Sequence, residues 1–380
     1  MKFSKRLDNF PEYIFVSLQR AKKTIEEQSN RPVLDLGPGS PDVLPSRKYL
    51  DKLKGFLEED QAHMYPGYGA IPEFQEGLIQ WYRERFGVKL ESDELYPLLG
   101  AKEGISHLSL ALLDADDEVL IPNPGYPAYA GAALMIGAKP IPYNLLAKND
   151  FQIHYQSLEG SINERTRFIW VNFPNNPTGA VVDKQDLEKL VKIAQEHNIW
   201  IIYDNAYSEI TFDGYRAPSI LEIPGAKEVA CEIGSLSKTF SFAGYRIGYI
   251  VGNKGLIAAL AKIKSQVDSG MAKPLQKLAA YALTHIDQKW HQNMLESYVS
   301  RRDIIGKYLS KLGLSFKLSK GSLYIWARIP QRHRNSEAFV KELLRDKQIL
   351  LTPGTAFGQN GRQYVRASIC ANIEKIEEYL

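Results

Sequence analysis

Four short apolar runs, separated by helix-like stretches, constrain this chain more than any other feature. Glu118–Pro122, Arg167–Val171, Trp200–Asp204 and Tyr249–Val251 carry almost no polar residue inside their ends. A strand with one wet face alternates in polarity. A run that is apolar at successive positions suits a strand covered on both faces. Between the second and third runs, Asp186–His197 spaces Leu187, Leu190, Val191 and Ala194 three and four apart, which is one face of a helix, and Asp183 is placed to cap it. The alternation predicts a mainly parallel α/β sheet with helices on both sides.

That rhythm stops near Lys273. Leu275 to Leu312 reads as helix, broken around Thr284–Asp287. Strand candidates follow at Leu323–Ala327 and Gln363–Arg366, with helices near 336–345 and 372–380. This predicts a smaller α+β domain. The first 45 residues also lack the parallel-sheet pattern and are expected to pack with the C-terminal part. The expected division is therefore 46–272 for the large domain, and 1–45 plus 273–380 for a discontinuous small one; two domains suit a chain of 380 residues. Phe10-Pro11-Glu12-Tyr13 reads equally as an arm over a site or as a packing turn.

Several function classes are disfavoured. A net charge of +3 with lysine and arginine scattered among acids is no nucleic-acid footprint and no polybasic anchor. No stretch reaches the ~20 apolar residues of a membrane span. The first residues hold no apolar signal core, and Cys231 and Cys370 form no CxxC pair, so a cytoplasmic protein in a reducing compartment is expected. No HExxH occurs among the seven histidines, and no metal site is expected.

The chemistry-bearing residues sit at the ends of the strand candidates. Ser235-Leu236-Ser237-Lys238 follows the run Val229–Gly234. A shielded lysine there favours the neutral amine, the form that attacks a carbonyl. Gly244-Tyr245-Arg246-Ile247-Gly248 comes next; its glycines allow close backbone approach and Arg246 suits a phosphate dianion. Phe173–Gly179 lies just past a strand, where open α/β sheets bind ligands, although Asn, Pro and Gly are also ordinary turn residues. Asp204 ends a strand, with Tyr207 three residues on. Gly100-Ala101-Lys102 leads into a helix whose first N–H groups would face an anion.

Taken together, Gly37-Pro38-Gly39-Ser40-Pro41-Asp42, Tyr65-Pro66-Gly67-Tyr68-Gly69, Gly100-Ala101-Lys102-Glu103, Asn123–Pro127, Asn176-Pro177-Thr178-Gly179, Tyr203–Tyr207, Ser235–Lys238, Gly244–Gly248, Pro353–Gly358 and Val365-Arg366 resemble class I/II aminotransferases of the fold-type I pyridoxal-phosphate superfamily, in order and over nearly the whole chain. The resemblance implies a seven-stranded, mainly parallel sheet sandwiched by helices, and pyridoxal 5'-phosphate as cofactor. It implies Lys238 as the lysine that forms the Schiff base and moves the α-proton, and Asp204 as partner of the pyridine nitrogen. Tyr126 would stack on the ring, and Asn176 and Tyr207 would meet its phenolic oxygen. Ser235, Ser237, Arg246 and Gly100, Ala101 and Lys102 would form the phosphate cup. Tyr65 would reach the phosphate of a neighbouring subunit in a homodimer. Arg366 would hold the substrate α-carboxylate, helped by Asn176 and the Gly39 backbone. An L-amino acid and a 2-oxo acid, 2-oxoglutarate by family habit, are the implied substrates. The opening segment and Gly-Ala-Lys-Glu-Gly look most like the subgroup of LL-diaminopimelate, alanine and aspartate aminotransferases. Two departures stand out: Tyr245 where tryptophan is frequent, and Gly321-Ser322 in place of a double glycine.

Three rival readings compete with this one. A β C–S lyase would share the same lysine and cup, and sequence does not separate it. Ser235-Leu236-Ser237-Lys238 fits SxxK, but the Ser-Asp-Asn and Lys-Thr-Gly partners of acyl-serine enzymes are missing. A PLP-fold transcription regulator would need a winged helix, and too few residues precede Leu34 for one.

Overall fold

The computed structural model describes residues 2–10, 14–29, 31–374 and 376–379; Pro11, Glu12 and Tyr13 of the expected arm lie outside them. The strands are β1 (Leu34–Asp35), β2 (Leu95–Leu98), β3 (Glu118–Asn123), β4 (Lys139–Asn144), β5 (Thr166–Asn172), β6 (Trp200–Asp204), β7 (Ala230–Ser235), β8 (Gly248–Gly252), β9 (Tyr324–Arg328), β10 (Ile349–Leu350), β11 (Thr352–Pro353) and β12 (Tyr364–Ser368). One seven-stranded sheet runs β2-β8-β7-β6-β5-β3-β4. From β4 to β7 all pairings are parallel, and β8 is antiparallel to both neighbours.

The apolar runs are continuous because both faces of this sheet are covered. Ile169, Val171, Ile201 and Tyr203 point into a core shared with Phe74, Leu78 and Tyr82 of helix Pro72–Phe86. Phe168, Trp170 and Ile202 alternate with them and enter a core on the opposite face, with Ile105, Leu108 and Tyr129. Trp170 stacks on Tyr129 at 4.8 Å between ring centroids, a pairing worth about 0.5–1.5 kcal/mol beyond its buried area. Helix Lys184–His197 forms as its spacing predicts: Asp183 accepts from the Asp186 N–H at 3.0 Å, and Leu187, Leu190, Val191 and Ala194 are buried.

A further core gathers Leu34 and Leu36 with Ile305, Leu309, Tyr324, Ile325, Val340, Leu350 and Val365. β1 pairs in parallel with β10, and β11, β12 and β9 make an antiparallel sheet. Helix Lys273–Thr284 buries Leu278, Ala279, Ala282 and Leu283 beside the large sheet, whereas Gln288–Lys311 gives Met294, Tyr298 and Ile305 to the other core. These two successive helices thus serve different cores, and Tyr207, Ile210 and Phe212 from the middle of the chain join the second one.

Two expected elements differ. Val229 closes the one-turn helix Ala226–Val229 instead of opening β7. The helix expected over 372–380 is reduced to a 3-10 turn, Ile376–Tyr379. The Asn372 side chain accepts from the Glu374 N–H at 2.9 Å, a local bond that competes with helix initiation. Among the described residues no helix is long and apolar enough to cross a membrane.

Candidate active site

Parallel strands end on one edge. Asn172 and Asp204 are in-register neighbours at the ends of β5 and β6, and Ser235 closes β7. Antiparallel β8 begins on that edge, with Gly248 opposite both Ser235 and Leu98. Arg246 just precedes it, and Gly100 just follows β2. A Cβ on Gly248 would stand 2.7 Å from the Ala101 nitrogen, so only glycine lets these two stretches meet. A cavity of about 340 Å³ opens here.

Its walls include Gly39, Ala101, Lys102, Tyr126, Asn176, Asp204, Tyr207, Ser235, Ser237, Lys238, Arg246 and Arg366. Two of the sequence-predicted residues stand apart. Gly100 backs the wall rather than lining it, and Tyr65 lies outside the cavity with 84% of its surface exposed.

Asp204 is buried, and burial pushes its carboxyl above the ordinary carboxylate range, opposed by a 2.7 Å bond from the Tyr129 hydroxyl and one from the Ala206 N–H. Asn172 steadies the same corner. Its Nδ2 donates to the Asp204 carbonyl at 2.8 Å, and its Oδ1 accepts from the Asn176 N–H at 2.8 Å. Lys238 sits on the one-turn helix Leu236–Thr239, capped by Ser235, and its Nζ donates to the Gly39 carbonyl at 2.7 Å. Tyr207 pairs its hydroxyl with that of Tyr324 at 3.0 Å; burial and this neighbour push its pKa up.

Arg366 is buried between aromatic faces, its guanidinium carbon 4.0 Å from the Tyr324 ring centroid and 4.7 Å from that of Phe357. Nη1 donates to Asn176 Oδ1 at 2.9 Å and Nη2 to the Gly37 carbonyl at 2.8 Å. The backbone carbonyl that meets this fork is thus Gly37's, while Gly39's goes to Lys238. Arg366 Nε has no partner among the described residues. A buried cation so held is suited to a carboxylate.

The cavity fits a phosphorylated aldehyde cofactor on three counts. The Gly100 backbone, at φ +82, leaves a cradle where a Cβ would stand 2.2 Å from Arg246 Nη2. The amine of Lys238 and the buried carboxylate of Asp204 line the same space. Sequence reading missed Asn172, Tyr129 and Tyr324. Asn172 carried a signal, being the strand-end polar residue beside Asp204; Tyr129 and Tyr324 reach the site only through tertiary packing.

Similarity to known proteins points the same way. The profile of the family described as aminotransferase class I and II matches residues 31–380. The chain is 38% identical to an LL-diaminopimelate aminotransferase of Dehalococcoides mccartyi over 100% of this chain and 97% of that one. It is 38% identical to another of that name from Aquifex aeolicus, covering 99% and 97%. Among solved structures, apo-BacF from Bacillus subtilis superposes with a TM-score of 0.95 at 31% identity over 100% and 97% of the two chains. N-succinyldiaminopimelate aminotransferase from Mycobacterium tuberculosis gives 0.91 at 26% identity over 100% and 98%.

Proposed function

This chain belongs to the aminotransferase class I and II family and is an aminotransferase, and from that premise we propose that its cavity takes pyridoxal 5'-phosphate to move an amino group from an L-amino acid to a 2-oxo acid, with 2-oxoglutarate as acceptor. The observation that carries this reading is the meeting of an amine, a buried carboxylate and a buried guanidinium, Lys238, Asp204 and Arg366, around one cavity. The family's members generally depend on this cofactor.

When bound, the cofactor supplies an electron sink for the pair left behind as the donor's α-proton departs. Asp204 would keep a proton at the ring nitrogen. Tyr126 would cover the ring. Asn176 spends its Oδ1 on Arg366, which leaves its amide N–H groups to donate, with Tyr207, to the phenolic oxygen. Ser235, Ser237, Arg246 and the Gly100–Lys102 turn would hold the phosphate. Lys238 Nζ would bind the aldehyde carbon covalently and, once displaced by the donor, carry the α-proton. Arg366 would clamp the α-carboxylate, with Tyr324 and Phe357 excluding water from its faces.

The same reading makes the enzyme a cytoplasmic homodimer in which exposed Tyr65 reaches the neighbouring site. The names of the relatives make LL-diaminopimelate the first donor to assay, followed by the alanine and aspartate that the sequence resemblance implies. Lys238→Ala tests the core of the proposal. The variant is expected to lose the visible absorbance of bound cofactor, borohydride-fixed label and turnover; retention of all three overturns the assignment.

A further inference from the structure

Behind the anion-facing turn lies a buried ion triad that none of the chemistry above uses. Lys264 is 1% exposed, and its ammonium donates to Glu103 Oε1 at 2.7 Å and to both oxygens of Asp268 at 2.8 and 2.7 Å. Burying an ammonium is costly unless it is paired and hydrogen-bonded, and all three oxygens that meet Lys264 here are carboxylate oxygens. Here the partners lead to two separate segments. Glu103 Oε2 accepts from the Leu99 N–H at 2.8 Å, one residue before Gly100. Asp268 Oδ1 accepts from the Gly270 N–H at 2.7 Å. Gly270, at φ +96, lies so close to the next segment that a Cβ would stand 2.3 Å from the Gly67 carbonyl oxygen. The neighbouring Tyr68 carbonyl accepts from the Tyr96 hydroxyl. One ammonium thus ties the Leu99–Gly100 turn, against which Arg246 packs, to the stretch that follows Tyr65.

Burial raises the Glu103 pKa against the pull of Lys264. Asp268 is opposed by burial as well, but Lys264 and the Gly270 N–H outweigh it and its carboxyl is lowered. His107 Nδ1, 4.0 Å from Glu103, has no bond among the described residues. The Leu99 N–H therefore depends on Glu103 for its acceptor, and Glu103 depends on Lys264 for its charge balance.

We infer that Lys264 and Glu103 are positioning residues for the phosphate end of the cavity, fixing the Leu99–Gly100 turn so that its main chain and Arg246 meet a phosphate dianion at a set separation. The inference rests on the cofactor reading. Neither residue lines the cavity, so both act through the turn.

The test compares equilibrium binding of pyridoxal 5'-phosphate and of pyridoxal, which lacks the phosphate, to wild-type protein, Glu103→Leu, Glu103→Gln and Lys264→Met. Glu103→Leu removes the acceptor and is expected to weaken pyridoxal 5'-phosphate about 10-fold or more, with pyridoxal changed less than about twofold on the same scale. Glu103→Gln keeps an acceptor for the Leu99 N–H and should retain most of the phosphate-dependent affinity. Lys264→Met should resemble Glu103→Leu; should it fail to fold, the two Glu103 variants still decide. A Glu103→Leu protein that binds the phosphorylated compound like wild type, or that loses both compounds equally as general loosening would cause, overturns the inference. Wild-type protein that binds neither compound overturns the cofactor reading and this inference with it.

Discussion

Ser322 is a residue the fold would rather have as glycine. It lies at φ +66, is fully buried, and its hydroxyl has no partner among the described residues. Left-handed backbone at a non-glycine residue costs about 1–2 kcal/mol, and an unpaired buried hydroxyl about 1–3 kcal/mol. Ser322→Gly recovers both and gives back about 0.5–1 kcal/mol through the freer unfolded chain. The Ser322 N–H bond to the Ile210 carbonyl, 3.0 Å, is main chain and survives. The net gain is about 2 kcal/mol. At roughly 2.1 cal/mol/K per residue, 380 residues unfold with roughly 0.8 kcal/mol/K, so the melting temperature should rise by about 2–3 °C. Differential scanning calorimetry at a single scan rate on wild type, Ser322→Gly and Ser322→Ala reads this out. The alanine variant sheds the hydroxyl but keeps the Cβ, and should fall between the other two. A glycine variant that melts at or below wild type refutes the reasoning.

Three other outcomes are expected. Arg366→Lys cannot reach Asn176 and Gly37 at once with planar geometry, so kcat/KM for amino-acid donors should fall about 100-fold in steady-state assays; an undiminished value would remove Arg366 from carboxylate binding. Tyr129→Phe takes a 2.7 Å donor from Asp204, which disfavours the carboxylate and lifts its pKa further, so the acidic limb of the kcat–pH profile should move to higher pH; an unmoved limb counts against Asp204 acting as the anion. Burial pushes the Glu232 carboxyl up to about 7 from the ordinary 4.5. The unfolded chain therefore ionises first, and the stability this group confers, complete below pH 4.5, should be lost by about 3 kcal/mol as pH rises through 7. Urea unfolding at pH 5 and pH 8 should show that loss in wild type and a flatter profile in Glu232→Gln, and a flat wild-type profile would defeat the argument.

The large sheet was legible because its strands are wrapped on both faces. Phe168–Val171 and Ile201–Tyr203 announce themselves as unbroken apolar runs, and the helix from Lys184 has a cap and a clean spacing. The meeting of Asp204, Ser235 and Lys238 followed from their places at strand ends. Pairings set by tertiary approach were not legible. Tyr129 reads as an ordinary helix residue, yet its hydroxyl crosses under the sheet edge to Asp204. Tyr324 reads as a strand residue, yet it stacks on Arg366 and bonds Tyr207. Helices Lys273–Thr284 and Gln288–Lys311 both read from sequence as helix, and nothing in that reading says they serve different cores. The Lys264 triad was equally hidden, since lysine, glutamate and aspartate are ordinary surface residues until three segments bury them together.

The Arg366 fork draws on positions far apart: one donor arm goes to Asn176 and the other to Gly37, 329 residues away in the chain. A ribosome makes the chain from its amino end, so Lys238 and Asp204 emerge well before residue 366. During synthesis the growing polypeptide carries the amine and the acid before the guanidinium proposed to clamp a carboxylate. With Arg366 in the proposed role, carboxylate selection waits on the synthesis of β12, and a chain truncated before that strand is expected to lack it.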